Sequence, residues 1–137
     1  MAIARNIPPA GLIGAGTDII EIERIKQAVE RGGNRFLEKV FTSSERSFCD
    51  VRKDRFSCYA ARFAAKEAVL KALGTGLAGC AFVDVEVQRP GGGRPEIKLH
   101  GAAAEIAKEK GIALILISIS HNRQNAVAFA IAAGEEV

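Results

Sequence analysis

The chain has 137 residues, the size of one domain with one hydrophobic core. Hydrophobic content of 48% and charged content of 26% describe an ordinary globular protein and exclude intrinsic disorder. A net charge of only +3, with no Trp and one Tyr, argues against a nucleic-acid binder, and no apolar run is long enough to span a membrane.

Residues 1–10 read as a loose extension, because Pro8-Pro9 enters a sheet ladder badly, and the domain proper is expected over 11–137. The N-terminal stretch has no apolar h-region, so no signal peptide is expected. Cys49, Cys58 and Cys80 are odd in number and lack C-x-x-C spacing, so they read as reduced thiols of a cytosolic protein and not as metal ligands.

Leu12 to Ile20 is short, apolar and punctuated by glycine, and reads as a buried strand. Gly14 and Gly16 fall on one face, where another backbone can approach closely. Asp18, in so apolar a strand, needs a partner, or it caps the helix that follows. That helix runs from Glu21 to Arg31, with Ile22, Ile25 and Val29 on its apolar face. Arg24, Lys26 and Arg31, joined by Arg35 after Gly32-Gly33, form either a solvated face or a docking surface for an acidic partner.

Phe36 to Phe41 reads as a short apolar turn of helix. Thr42 or Ser43 then caps a further helix with Glu45 in its first turn, and Asp50 to Asp54 is a polar connector. From Asp54 to Leu73 there is no Gly or Pro, and Gly74 stands where a left-handed C-cap belongs. Tyr59, Phe63 and Leu70 lie on one side of this helix, and Ala61, Ala64, Ala65, Ala68 and Ala72 cover the other. A helix apolar around most of its circumference packs on more than one side. Arg62, Lys66, Glu67 and Lys71 are nevertheless set into it, and such charges must be paired, hydrated in a cleft or bound to an ion. Glu67 and Lys71 project as neighbours, so an ordinary ion pair is one reading, with Arg62 and Lys66 reaching to water.

A glycine-rich loop follows to Gly79. Phe82 to Gln88 alternates as a strand, Pro90 to Pro95 is a turn, and Glu96 to His100 completes a hairpin. Gly101 to Lys110 is an amphipathic helix closed by Gly111. Ala113 to Ser120 and Ala126 to Ala132 are strands about a turn at Asn122 to Asn125. The order specifies one α+β domain, mainly antiparallel sheet packed with a long central helix. His121 ends an apolar strand without any triad order around it, and Gly74-Thr75-Gly76 follows a helix, so it is no dinucleotide fingerprint.

Three segments taken together are more specific. The run from Gly14 to Ile25, GAGTDIIEIERI, resembles the first motif of the bacterial holo-(acyl-carrier-protein) synthases, the small 4'-phosphopantetheinyl transferases. Arg62 to Gly76, RFAAKEAVLKALGTG, resembles their second, and Ser118 to His121 followed by Asn125 to Ala128 resembles their C-terminal motif. The departures are the N-terminal extension, Ser43-Ser44 where proline is frequent, the turn at Gly91 to Gly93, and Asn122 where an acid is frequent.

The resemblance implies an enzyme that moves the 4'-phosphopantetheine arm of coenzyme A to a serine of an apo-acyl-carrier protein. It releases adenosine 3',5'-bisphosphate and supports fatty acid biosynthesis in the cytoplasm. It implies Mg2+ held by Asp18 and Glu67, with Lys71 on the pyrophosphate, so that Asp18, Glu67 and Lys71 form the catalytic set. Arg62, Lys66, Arg46 and His121, with the Gly74-Thr75-Gly76 turn, are the expected coenzyme A contacts. Arg24, Arg31 and Arg35 are the expected carrier-protein contacts. The family assembles as a homotrimer with sites at subunit interfaces, and Gly14, Gly16 and the all-round apolar helix are read as pointing to that burial. The competing class is a non-catalytic coenzyme A or nucleotide-binding module, against which both carboxylates and both motif lysines argue.

Overall fold

The computed structural model describes residues 11–135, and the expected extension over residues 1–10 lies outside them. The elements run β1 (Leu12–Glu21), α1 (Ile22–Val40), α2 (Ser43–Asp50), α3 (Arg55–Leu73), β2 (Val85–Gln88), β3 (Glu96–Leu99), α4 (Gly101–Glu109), β4 (Ile112–His121) and β5 (Asn125–Gly134). Strands β1, β5 and β4, in that order, form an antiparallel sheet, and β2 and β3 form a separate hairpin. No described helix is long and apolar enough to cross a membrane.

Helix α3 lies across the inner face of the larger sheet, and small residues set how close it comes. Gly16 on β1 pairs with Ala130 on β5, which pairs with Ile117 on β4; the next inner row is Asp18, Ala128 and Ile119. The β1 end of each row is thus small or polar and the β4 end is large, so the helix sits low over β1. A Cβ built on Gly14 would fall 2.1 Å from the Ala72 carbonyl oxygen, and one on Gly16 would fall 2.0 Å from that of Ala68. The alanine side of α3 therefore meets backbone, as glycine alternation in β1 predicts. The two glycines are consumed inside the chain, and they give no reason for a further subunit.

One core cluster joins the second half of α3 to the sheet, β2 and α4, and another joins its first half to α1 and α2. In the second, the Phe41 and Tyr59 rings stand 4.7 Å apart. Thr42 caps α2 with a full capping box, its hydroxyl accepting from the Glu45 amide and the Glu45 carboxylate accepting from its own. Gly74 ends α3 at φ 81, and its amide donates to the carbonyls of Leu70 and Lys71.

Four expectations need correction. β1 is buried only on its inner face, and the outer face of its sheet exposes Ile19, Leu114, Leu116, Val127 and Phe129. Helix α1 continues past Gly32, broken only at Gly33, where φ is 53. Phe82–Asp84 is a turn of 3-10 helix because the Asp84 carboxylate accepts from the Ala81 amide, so the strand begins at Val85. Cys49 and Cys58 form a disulfide joining α2 to α3, and Cys80 alone is free. Their separation in sequence carries no metal or redox motif; only the packing of α2 on α3 brings them together.

Gly16→Ala is expected to cost about 1–3 kcal/mol or more, since a methyl group driven into a helix carbonyl displaces β1. Equilibrium urea unfolding reads this as a lower midpoint at unchanged slope.

Candidate active site

Two groups of charged residues flank α3. The first is made by the close approach of β1. Asp18 follows Gly16 on the inner face, and the Lys71 ammonium lies 3.4 Å from its carboxylate while donating to the Thr17 carbonyl at 2.8 Å. Glu67 stands one turn before Lys71. Burial raises its pKa, the nearby Asp18 charge raises it further, and Lys71 opposes with a smaller effect. Lys71 thus pairs with Asp18 and not with Glu67, and one cation is left to serve two carboxylates.

Hard carboxylate oxygens that repel one another across a small gap suit a hard divalent cation. Among the described residues no group of three or more His, Cys, Asp or Glu gathers. Such a site therefore supplies only part of a coordination shell and leaves the rest to ligand oxygens or water, the usual way magnesium is held.

The second group lines a cleft of about 380 Å³ whose walls include Phe48, Arg52, Arg62, Val87, Arg89 and His121. Arg62 is 5% exposed. Its guanidinium donates to the Cys58 sulfur at 3.2 Å and lies 4.2 Å from the Phe48 ring centroid; the Arg52 guanidinium lies 4.0 Å from the same ring. Burial lowers the Arg62 pKa to about 10; Glu45 opposes the fall, and Arg89 and Arg52 add to it. No carboxylate among the described residues forms a salt bridge with Arg62, and its Nε has no hydrogen-bond partner. An enclosed cation beside other cations has the chemistry to receive an anion.

The sheet register relates the two groups. Asp18 pairs with Ala128 and Ala128 with Ile119, which also lines the cleft, so two strand spacings of about 4.8 Å separate the carboxylate from that wall. His121, opposite Ala126 at the end of β4, stands at the cleft mouth.

The remaining expected residues fall in different places. Lys66 is fully enclosed: its ammonium lies 2.6 Å from the Glu45 carboxylate and donates to the Phe82 and Val85 carbonyls. It is not brought to the cleft, although it is one turn from Arg62. Arg46, half-buried on α2, has its carbonyl facing the Tyr59 hydroxyl. Gly74, Thr75 and Gly76 form the turn just after Lys71, where the Thr75 hydroxyl donates to the Gly76 carbonyl. Arg24, Arg31 and Arg35 are exposed on α1. Sequence reasoning missed Arg52, hidden in a polar connector, and Arg89, at the end of β2. Neither carries a local signal; they become cleft residues only when the hairpin packs beside α2.

The chain matches the 4'-phosphopantetheinyl transferase superfamily over residues 14–130. It is 50% identical to the holo-[acyl-carrier-protein] synthase of Desulforudis audaxviator over 123 residues, 90% of this chain and 94% of that protein. The structure resembles holo-[acyl-carrier-protein] synthase from Neisseria meningitidis, with a TM-score of 0.82 and 31% identity, covering 88% of this chain and 98% of that one. It also resembles the Helicobacter pylori synthase in complex with coenzyme A, with a TM-score of 0.76 and 32% identity over 86% of this chain and 98% of that one.

Without added divalent cation, Glu67→Gln is expected to be more stable than the parent at neutral pH. A carboxyl whose folded pKa is raised carries no penalty below its unfolded value and the whole penalty above its folded one. The gap in Tm between the two proteins therefore opens as pH rises through that window and closes in acid, which paired thermal melts across it will read. Equal Tm values at neutral pH would contradict the crowding of Asp18 and Glu67.

Proposed function

The chain belongs to the 4'-phosphopantetheinyl transferase superfamily, and from that premise we propose that it transfers the 4'-phosphopantetheine arm of coenzyme A to a serine hydroxyl of an apo-acyl-carrier protein. The serine hydroxyl gives up its proton to a base as its oxygen bonds to the phosphorus that bears the arm. The bond from that phosphorus to the bridging oxygen of the pyrophosphate breaks, and adenosine 3',5'-bisphosphate leaves with that oxygen. The observation that carries the reading is the placement of Asp18 on β1 beside Glu67 and Lys71 on α3, two strands from an arginine-lined cleft.

Each group has a role that its surroundings support. The cleft takes the adenosine bisphosphate end of coenzyme A, with Arg62 meeting phosphate oxygens in a dry setting, where a charge-assisted hydrogen bond is strong. His121 at its mouth assists; Arg46, on α2, is a further candidate although it is not among the residues lining the cleft, and the turn from Gly74 to Gly76 borders the same end of the helix as Lys71. Lys71, half-exposed beside Asp18, turns its ammonium to the pyrophosphate. Asp18 and Glu67 are the residues that would hold Mg2+, whose charge, once bound, offsets the negative charge growing on the leaving phosphate. Lys66 has no part in ligand binding, because its ammonium is fully engaged inside the protein.

The carrier protein meets α1. That helix begins just after the strand that holds Asp18, so one continuous segment offers a carboxylate to the reaction and Arg24, Arg31 and Arg35 to an acidic partner. The second proposed contact is between copies of this chain. The sheet turns Ile19, Phe129, Val127, Leu116 and Leu114 outward, a contiguous apolar surface of the kind that marks an interface. A homotrimer covers it, and sedimentation velocity reads that state directly.

Incubation with apo-acyl-carrier protein, coenzyme A and Mg2+ is expected to add one phosphopantetheine mass to the carrier; an unchanged carrier mass would falsify the transfer. Glu67→Gln should abolish most of that gain while the fold survives, a loss of about a hundredfold or more for removing one of two charged ligands.

Arg24→Glu places like charges together at the carrier contact, which at a protein surface amounts to about 1–4 kcal/mol before screening. Carrier KM is expected to rise about tenfold or more, and coenzyme A KM to stay unchanged. For the parent at limiting carrier, the rate should fall as salt rises. Equal effects on both substrates would place Arg24 outside the carrier contact.

A further inference from the structure

We propose that Glu45 is a positioning residue for the anion-binding cleft, holding the β2 wall at the correct distance from the α3 wall. The inference rests on the reading of that cleft as the coenzyme A site.

The two walls have no shared ladder. Arg62 and Phe48 come from α3 and α2, and Val87 and Arg89 come from β2 and the turn beyond it. The hairpin β2–β3 is a sheet of its own, not hydrogen-bonded to the three-stranded sheet on which α3 rests. Residues Val85 and Val87 turn their backbone groups to the same side of β2. On an unpaired edge these groups are left without a strand partner.

A buried ion pair takes the place of that missing strand. One oxygen of Glu45 accepts from the Thr42 amide at 2.8 Å and lies 2.6 Å from the Lys66 ammonium; the other accepts from the Val87 amide at 2.9 Å. Lys66 in turn donates to the carbonyl of Val85 and, at 3.2 Å, to that of Phe82. Glu45 and Lys66 together thus satisfy both the amide of Val87 and the carbonyl of Val85, and tie them to the start of α2 and the middle of α3.

A second carboxylate repeats the tie one residue along. Glu86 accepts from the Thr42 hydroxyl at 2.7 Å, from Gln88 at 3.1 Å, and lies 2.9 Å from His100 Nε2. Burial alone would raise its pKa, but the hydrogen bonds from Thr42, His100 and Gln88 outweigh burial and lower it. Thr42 is therefore the shared anchor of Glu45 and Glu86.

Position is what this arrangement secures, because a buried ion pair is a weak source of stability compared with an apolar pair of the same size. Val87 is itself a lining residue, and Arg89, another, lies two residues further along, just past the end of β2. A shift of the β2 edge relative to Lys66 moves both against Arg62.

The test uses the full chain, adenosine 3',5'-bisphosphate in a calorimeter, and steady-state transfer. Glu45→Gln with Lys66→Met removes both charges together and leaves no lone buried ion. This protein, judged folded by its thermal transition, is expected to bind the bisphosphate about tenfold more weakly and to raise coenzyme A KM by the same factor, with kcat and carrier KM within about twofold of the parent. Glu45→Asp keeps the charge beside Lys66 and withdraws the carboxylate from Val87 by one methylene; it is expected to lose about threefold in bisphosphate affinity. Should the double variant not fold, Glu45→Asp decides alone. Parental bisphosphate affinity in a folded variant overturns the proposal, as does a fall in kcat at constant coenzyme A KM. Failure of the parent itself to bind bisphosphate or to modify the carrier overturns the coenzyme A reading instead.

Discussion

The contact between the β1 backbone and the alanine side of α3 is the constraint on which the rest depends. A strand and a helix ordinarily keep the distance their side chains impose. Here Gly14 and Gly16 remove the side chains on one partner, and Ala68 and Ala72 reduce them on the other. The strand settles so low that its next inward residue, Asp18, comes level with Glu67 and Lys71. The same residues on a wider-spaced pair would be a carboxylate and a lysine in separate solvent. The close approach turns them into a site that holds more negative charge than it offsets, a condition a divalent cation relieves.

Helix α3 also shows how tertiary surroundings separate residues of one type. Arg62 and Lys66 are one turn apart, both basic and both at least nine-tenths buried. Lys66 has Glu45 and two carbonyls within reach, so its charge is consumed inside the fold. Arg62 has a sulfur, an aromatic face and two neighbouring arginines, and no carboxylate forms a salt bridge with it among the described residues. Desolvation acts on both cations and Glu45 opposes it for both, but only Lys66 pairs with that carboxylate directly. Arg62, with no salt-bridge partner among the described residues, lines the cleft, where an anion can supply one. One buried cation is thus satisfied inside the fold, and the other lines the cleft.

The outer face of the larger sheet contrasts with its inner face. Inside, the rows run from glycine through alanine to isoleucine and are covered by α3. Outside, isoleucine, leucine, valine and phenylalanine stand exposed on all three strands. Both faces are apolar, so the strands do not show the clean alternation of a sheet that meets water on one side. A small domain of this kind has apolar surface left to bury after its own core is complete.

The sequence by itself determined the fold class and the type and order of most elements. Hydrophobic period, the Gly74 cap and a cap at Thr42 or Ser43 with Glu45 in the first turn marked the helices, because these signals act within a few residues. The spacing of Gly14, Gly16 and Asp18 likewise announced a close approach beside a carboxylate. Only the tertiary structure decided which partner each charge received, since ion pairing depends on elements distant in sequence. It gave Lys71 to Asp18 and not to Glu67, withdrew Lys66 into a pair with Glu45, joined Cys49 to Cys58, and brought Arg52 and Arg89 to the wall of Arg62. Local pattern specifies backbone state and the face a residue occupies. The energy of a buried charge is set by what lies within a few ångströms, and that is known only once the chain has folded.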